Sequence, residues 1–180
     1  HISKAAEGRD ALWAGGMFLH RAYALSAAHE NHILRFGRME SGTVRNAISG
    51  HTELLGSLRS FDEGTFAAMK EGLARIAGEV GRETGCSCRL TVSAGYPPVR
   101  NDIALLSAVE RYLGADEPRR LDAPSLAAED FSFYQQKVPG VFFFLGAGDV
   151  PALHAPDFHF PDELVLPKGL AFLCRLAEMP

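Results

Sequence analysis

Apolar positions recur with a helical period in two long stretches of the chain. Residues 8–28 carry Asp10 in a first turn and then apolar residues at helical spacing, and residues 62–84 show the same period more regularly. In the second stretch Asp62 is a candidate N-cap, and one stripe is formed by Phe66, Met69, Leu73, Ile76 and Val80. The pattern predicts two amphipathic helices, each burying one face.

Three further stretches have the two-residue period of strands: 32–41, 46–60 and 86–98. The predicted order is helix, strand, strand, helix, strand. One strand in front of it would complete the split βαββαβ unit of ferredoxin-like domains. We expect a strand upstream of residue 1 and regard the chain as a fragment, because the sheet would otherwise keep an unpaired edge or a gap.

A second domain is predicted to begin near the turn-forming residues 96–101. Its apolar pattern predicts helices at 101–114, 127–140 and 161–179 and a buried strand at 141–146. This order indicates part of an α/β layer, although roughly 80 residues supply too few strands for a sheet of their own. The predicted fold class is α+β, with domains at 1–96 and 97–180.

Composition and charge describe a soluble globular protein. The 180 residues are 47% hydrophobic and 22% charged, and 18 Lys and Arg are scattered among 22 Asp and Glu, for a net charge of −4. No basic patch indicates a nucleic-acid partner, and no apolar run is long enough to indicate a membrane span. Three cysteines are too few for a disulfide framework and favour a cytoplasmic location. Cys86 and Cys88 more plausibly pack than bind metal.

Seven short stretches then follow one another in an order that is informative as a set. They are H…EGRDAL (1–12), RNAIS (45–49), GSLRSFD (56–62), GYPPVRND (95–102), AEDFSFY (128–134), VPGVFFFLGAG (138–148) and LHAPDFHFPDELVLPKGLAFL (153–173). Together they resemble the dinuclear-zinc amidohydrolases and peptidases of the aminoacylase, hippurate hydrolase and indole-acetyl-amino-acid hydrolase type, which are similar in architecture to carboxypeptidase G2. The resemblance covers nearly the whole chain.

This resemblance implies a specific architecture. Members of the family have a zinc-binding α/β domain interrupted by a βαββαβ lid that also mediates dimers. The chain would then comprise the lid without its first strand, followed by the C-terminal portion of the catalytic domain. The family keeps its other metal ligands and its general-base glutamate upstream of the part that this chain resembles.

The resemblance also assigns a role to His154. It stands where the family has its C-terminal metal-ligand histidine, and a neutral imidazole on a loop after a buried strand suits zinc. The residues alone leave open a partly exposed loop histidine, because one histidine makes no site. His159 alternates with two phenylalanines and is expected to cap or to face solvent.

His1 and Asn46 match lid residues of the family. The lid histidine of relatives reaches the partner subunit's active site and polarises the substrate carbonyl, which gives His1 a catalytic role by resemblance. The alternative for His1 is a disordered terminus. Asn46 matches a substrate-binding position, but the surrounding GTVRNAISG is also turn-like.

Arg59 and Glu129 match further substrate-binding positions. Arg59 could clamp a substrate carboxylate in a bidentate fork, and its alternative is a solvated charge at a strand end. Glu129, followed by Asp130, would line the pocket near the metal, but two acids also suit an ordinary first turn of a helix.

The predicted function is therefore part of a metal-dependent amidohydrolase or peptidase that cleaves N-acyl amino acids or small peptides with metal-activated water. Two zinc ions are expected in the whole enzyme, with manganese or cobalt as alternatives, and a homodimer through the lid. The other hypothesis is a non-catalytic lid and dimerisation module, inactive alone because the upstream ligands and the base are absent. Departures from the family pattern, such as AIS at 47–49 in place of VIP, affect the expected substrate class more than the reaction.

Overall fold

The computed structural model describes residues 1–114 and 118–180. Contacts divide the chain into two units. The first comprises residues 1–98 and 124–129, and the second comprises residues 99–123 and 130–180. The described residues form a mixed α and β fold with one two-stranded sheet.

The first unit follows the predicted order of helices and strands. A short 3-10 helix, which the sequence did not predict, spans Ile2–Glu7. Helix α1 spans Ala11–Ala27, strand β1 His32–Ser41, strand β2 Thr52–Ser60 and helix α2 Glu63–Thr84. The predicted strand 46–60 therefore begins six residues late, because its first residues belong to the loop between β1 and β2.

Side-chain caps fix where both helices begin. The carboxylate of Asp10 accepts hydrogen bonds from the backbone N–H of Leu12 and Trp13, at 3.0 and 3.2 Å. Asp62 accepts from the N–H of Thr65 at 2.7 Å, which confirms it as the N-cap of α2. Helix α2 ends at Gly85, whose φ of 70° lies in the left-handed region that glycine adopts without a steric penalty.

Strands β1 and β2 form an antiparallel hairpin. The register runs from His32 opposite Ser60 to Ser41 opposite Thr52, with a bulge between Phe36 and Arg38. One face of the hairpin is buried: Leu34 is 2% exposed, whereas its neighbour Ile33 is 43% exposed. This confirms β1 as the half-buried strand that the alternation predicted.

The core of the first unit lies between α1, α2 and the hairpin. One cluster contains Ala22, Leu34, Met69 and Leu73, and a second contains Ala14, Ile76 and Val80. Four residues of the predicted α2 stripe are thus buried in these clusters. Burial of this kind is the main source of stability for such a layer.

The third predicted strand, residues 86–98, is wrong as a strand. Residues 87–95 have no regular secondary structure, and Leu90 packs against the first core cluster. Within the described residues, however, the backbone of 87–95 forms no hydrogen bond to a neighbouring strand. A ladder needs a partner backbone as well as an alternating sequence.

The second unit contains helices α3 at Ile103–Leu113, α4 at Phe131–Gln135 and α5 at Asp162–Ala177. Asp102 caps α3 by accepting from the N–H of Leu105 at 2.8 Å. The predictions for α3 and α5 are confirmed, whereas the helix predicted at 127–140 shrinks to the five residues of α4. No described helix is long and apolar enough to cross a membrane.

The predicted strand 141–146 is also wrong in the strict sense. Its backbone joins no sheet in the described part of the chain. The side chain of Asn101 replaces a partner strand: its Nδ2 donates to Phe142 O at 3.2 Å, and its Oδ1 accepts from Phe142 N at 2.8 Å. Aromatic contacts such as Phe143 with Phe172, at 5.2 Å between ring centroids, attach the segment to α5.

Candidate functional site

His1 and Asn46 lie on segments that are joined directly. The N–H of Ile2 donates to the backbone carbonyl of Asn46 at 3.0 Å. The ring Nδ1 of His1 lies 2.7 Å from Ser3 Oγ and accepts from the N–H of Ser3 at 3.3 Å, so the ring caps the 3-10 helix. His1 is exposed but ordered by these contacts. The structure thus brings two of the predicted site residues to one edge of the first unit.

Asn46 lies in a turn of the loop between β1 and β2, and its side chain is exposed. The turn that the sequence allowed as an alternative is therefore present. An exposed carboxamide at the tip of a turn can still donate and accept hydrogen bonds with a ligand.

Arg59 lies near the end of β2 with an exposed side chain. Its Nη1 donates to the backbone carbonyl of Leu126 at 2.9 Å. A guanidinium has five N–H donors, so one hydrogen bond orients the group and leaves the others available to a carboxylate. The side chain is therefore anchored to the backbone of Leu126, whereas the alternative interpretation was a freely solvated charge.

Glu129 belongs to the same segment, 124–129, that Arg59 holds against the first unit. Its side chain is partly buried. Asp130 occupies the N-cap position of α4 but forms no side-chain capping hydrogen bond there. Both acids lie at the start of α4, where the helix dipole favours negative charge, so the helix-start alternative for this pair is retained.

His154 has an unusual backbone. Its φ is 72°, and the one other described residue besides glycine with positive φ is Asn31, at 60°. Asn31 lies in the turn before β1, where its carbonyl accepts from Phe61 N at 3.3 Å, and asparagine tolerates this region well. Histidine, like asparagine, is enriched among the non-glycine residues of this region, and residues held there cluster at functional sites.

The side chain of His154 is exposed, and neither ring nitrogen forms a hydrogen bond with the part of the chain that the structure describes. His159, in contrast, lies with Nδ1 3.4 Å from the carbonyl oxygen of Asp157. This contact fits the capping role expected for His159. It leaves His154 as the histidine of this loop with both nitrogens open to a ligand.

The described residues do not form a complete metal site. In the described ranges, no group of three or more His, Cys, Asp or Glu side chains is placed to hold a metal ion. A catalytic zinc needs about three protein ligands. The chain therefore offers one imidazole at His154, and it does not hold a metal by that residue alone.

The cysteine pair fits packing better than chemistry. Partial burial, and in second place the neighbouring Cys86, raise the pKa of the Cys88 thiol. A raised pKa disfavours the thiolate, which is the form that attacks electrophiles and binds metals. Cys86 packs against the second core cluster as expected, whereas Cys88 is exposed.

Two residues that matter locally had no sequence signal. Asn101 supplies the hydrogen bonds that dock the extended segment at Phe142, and Ser49 is a buried hydroxyl in the loop that carries Asn46. The contact of Asn101 with Phe142 spans 41 residues, and that of Ser49 with Ser41 depends on the register of the hairpin.

The chain matches the sequence model of peptidase family M20/M25/M40 over residues 4–179. The chain belongs to this family. The membership confirms the resemblance carried by the seven stretches.

Relatives in the M20 family include hydrolases of several bacteria. An N-acetyldiaminopimelate deacetylase from Lacticaseibacillus casei is 27% identical over an alignment of 186 residues, which covers 99% of this chain and 48% of that protein. An uncharacterised hydrolase from Staphylococcus epidermidis is 32% identical over 145 residues, covering 76% of this chain and 38% of that protein. The chain spans about half the length of the curated relatives that it matches over nearly all of its own length.

Solved structures show the same fold. A dinuclear metal binding peptidase of the M20 family from Bacillus subtilis, YXEP, superimposes with a TM-score of 0.72 at 25% identity, covering 94% of this chain and 45% of that one. A crystal structure from methicillin resistant Staphylococcus aureus gives a TM-score of 0.78 at 22% identity, covering 100% of this chain and 49% of that one. At this low identity the second likeness shows the fold alone.

Proposed function

We propose that this chain is part of a metal-dependent amidohydrolase that cleaves the amide bond of N-acyl amino acids or small peptides. The observation that carries the proposal is the M20 family match over residues 4–179. The deacetylase relative is named for removal of an acetyl group from an amino acid, which is hydrolysis of an N-acyl amide. The proposed location is the cytoplasm.

The first unit is proposed to be a ferredoxin-like lid, at 1–96, and the rest of the chain part of the catalytic domain, at 97–180. Two observations support this division. Among the described residues, strand β2 pairs with β1 on one side, and the backbone of residues 87–95 in the same unit forms no hydrogen bond to a strand. A further strand between them would satisfy both backbones and complete βαββαβ. In the second unit, α5 exposes an apolar row at Leu166, Leu170 and Leu173, as expected of part of a larger layer.

His154 is proposed as one metal ligand, with zinc as the expected metal and manganese or cobalt as alternatives. A bound metal of this kind lowers the pKa of its water and polarises the substrate carbonyl. The left-handed backbone and the open ring nitrogens of His154 support the assignment. Among the described residues, no group of three or more potential ligands is placed to hold a metal ion, and we infer that the proposed site takes further ligands and its general base from outside this chain.

The first unit is proposed to bind and orient the substrate. His1 donates a hydrogen bond to the carbonyl oxygen of the scissile amide, which stabilises the negative charge that develops there. Asn46, on the neighbouring segment, holds the acyl amide, and Glu129 lines the pocket. Arg59 binds the free carboxylate of the amino acid through the N–H groups that Leu126 leaves unused.

A homodimer through the lid is proposed as the working assembly. The outer face of α1 supports it, since Leu12 and Trp13 are 50% and 64% exposed at adjacent positions on the helix. Exposed tryptophan is enriched at protein interfaces.

A non-catalytic lid and dimerisation module remains the second candidate for the isolated chain. The observation that favours it is that no group of three potential metal ligands occurs among residues 1–114 and 118–180. A chain with one ligand would not retain a catalytic metal.

The proposed function can be tested through the role assigned to Arg59. The product of the complete open reading frame is assayed on N-acetyl amino acids and on the matching N-acetyl amino acid amides, which lack the free carboxylate. Loss of a charge-assisted hydrogen bond costs ~1.5–3 kcal/mol, so Arg59→Ala should lower kcat/KM for the acids about 10- to 100-fold and hardly change it for the amides.

Arg38→Ala is the matched control, because Arg38 is an exposed arginine on β1 that pairs with Glu40. It should leave both substrates unaffected. If Arg59→Ala lowers kcat/KM equally for acids and amides, Arg59 does not bind the substrate carboxylate. If the wild-type protein hydrolyses neither substrate with any of the three metals added, the proposed amidohydrolase activity is wrong.

A further inference from the structure

Ser49 is a buried hydroxyl with every hydrogen-bonding position occupied. It is 5% exposed and lies in the loop between β1 and β2. Its Oγ accepts from Ser41 Oγ at 2.8 Å and from the N–H of His51 at 3.3 Å, and it donates to the carbonyl of His51 at 2.6 Å. One donor and two acceptor positions are all that a serine hydroxyl has.

The hydrogen bonds continue from this hydroxyl into the sheet and α1. Ser41 Oγ lies 2.5 Å from Thr52 Oγ1, and the two residues face each other at the last pair of the hairpin. The methyl group of Thr52 packs against Gly15 of α1, where an added Cβ would lie 2.6 Å from it. Three hydroxyls therefore tie the loop to the closed end of the hairpin. We call Ser41, Ser49 and Thr52 the hydroxyl cluster.

The backbone of the same loop holds the start of the chain. The carbonyl of Ser49 accepts from the N–H of Ala11 at 2.9 Å, and the carbonyl of Asn46 accepts from the N–H of Ile2 at 3.0 Å. Ile48 packs so closely against Gly8 that a Cβ at residue 8 would collide with Ile48 Cδ1. The path from His1 to α1 is thus fixed at both ends by residues 46–49.

We propose that Ser49 is a positioning residue that keeps His1 and Asn46 together through the hydroxyl cluster. The inference rests on the substrate roles proposed for those two residues. Without the Ser49 hydroxyl, the N–H of His51 loses its side-chain acceptor, and Ser41 keeps only its contacts with Thr52 and the carbonyl of His51. Loss of the hydrogen bonds made by a hydroxyl that is 5% exposed favours opening of the loop, and opening releases the carbonyls that hold Ile2 and Ala11.

The test uses the product of the complete open reading frame, with Ser49→Ala and Ser41→Ala compared with Ser57→Ala as the control. Ser57 is an exposed serine on β2 outside the hydroxyl cluster. Amide hydrogen exchange is followed at Ile2 and Ala11, and at Leu73 and Val80 in the core of α2. We expect Ser49→Ala to speed exchange at Ile2 and Ala11 about tenfold or more, with the α2 amides unchanged.

Ser41→Ala should act in the same direction but more weakly, because Ser49 keeps its two contacts with His51. Ser57→Ala should change neither set of amides. In the activity assay, Ser49→Ala should lower kcat with little change in KM, because the hydrogen bond assigned to His1 strengthens as charge develops in the transition state.

The outcomes separate the positioning role from the proposed function. If Ser49→Ala exchanges faster at Ile2 and Ala11 but the wild-type protein has no activity, the restraint of the loop by Ser49 is supported. The catalytic role proposed for His1 is then wrong. Unchanged exchange and unchanged kcat in Ser49→Ala would overturn the inference. Equal acceleration in α2 would also overturn it, because Ser49 would then support the whole unit and not this loop.

Discussion

Gly56 lies on β2 opposite Phe36, next to the bulge of β1. A Cβ at this position would lie 2.7 Å from Phe36 Cδ1 and 2.8 Å from the backbone carbonyl of Arg35. The backbone atom cannot move without disturbing the ladder. A side chain is therefore excluded here by the pairing of the two strands.

We expect Gly56→Ala to lower the free energy of unfolding. The strain of overpacking, typically ~1–3 kcal/mol, should exceed the gain of about 0.5–1 kcal/mol from replacing glycine inside a strand. Gly37→Ala is the control, because nothing lies within 4 Å of a Cβ added at Gly37. Thermal unfolding followed by circular dichroism should give a lower Tm for Gly56→Ala alone. Equal Tm values for the two variants would show that the close contact is relieved at no cost.

Residues with a local role were the easiest to predict. Asp62 was expected to cap α2 because the cap needs only a carboxylate three residues before its donor, and the hydrogen bond to Thr65 confirms it. Ser49 could not be predicted, since its partner Ser41 is eight residues away and the contact depends on the hairpin register. The contact of Ile2 with Asn46 depends on the closure of the same loop.

Helices α1 and α2 are joined by a bidentate ion pair as well as by their apolar faces. Arg21 Nη1 and Nη2 donate to the two carboxylate oxygens of Glu83, each at 2.7 Å. The hydrogen bond from Arg21 is the main cause that lowers the pKa of Glu83 below its ordinary 4.5, against a smaller opposing effect of desolvation. The same pair raises the pKa of Arg21.

This pair gives a pH dependence with a defined sign. A carboxylate whose pKa is lowered by folding stabilises the protein above its unfolded pKa, and the contribution is lost as the pH falls through the folded pKa. We expect Glu83→Gln to lower Tm at pH 7, with the difference from wild type shrinking as the pH falls below 4.5. The gap should be small, because both side chains are partly exposed.

Glu71→Gln is the control for charge alone, because Glu71 lies on the same helix and forms no ion pair with the described residues. Its Tm should follow wild type at every pH. A Glu83→Gln difference that stays constant from pH 7 down to pH 3 would show that the ion pair is not its source.

Elements were predicted well where the pattern itself specifies them. The α2 stripe was enough for a helix, since an α-helix makes its own backbone hydrogen bonds. The alternating residues 86–98 and the apolar residues 141–146 form no strand in the described part of the chain, because a strand takes its hydrogen bonds from a second strand. The 3-10 helix Ile2–Glu7 had no amphipathic pattern to reveal it, and its start depends on the His1 cap.

At the scale of the whole molecule, the order of the short motifs indicated the family better than any single residue did. The seven stretches pointed to one family, and the match over residues 4–179 confirms it. The chain covers 48% of the deacetylase relative and 45% of the Bacillus subtilis peptidase.

The central claim is that His154 is a metal ligand, and the most direct measurement is metal content by elemental analysis after dialysis. The protein is the product of the complete open reading frame, as wild type, His154→Ala and His159→Ala. His159 is the matched control, since it lies in the same loop and contacts the carbonyl of Asp157. We expect His154→Ala to lose metal and to hydrolyse N-acetyl amino acids at least ~100-fold more slowly, with His159→Ala close to wild type. Full metal content in His154→Ala would contradict the claim.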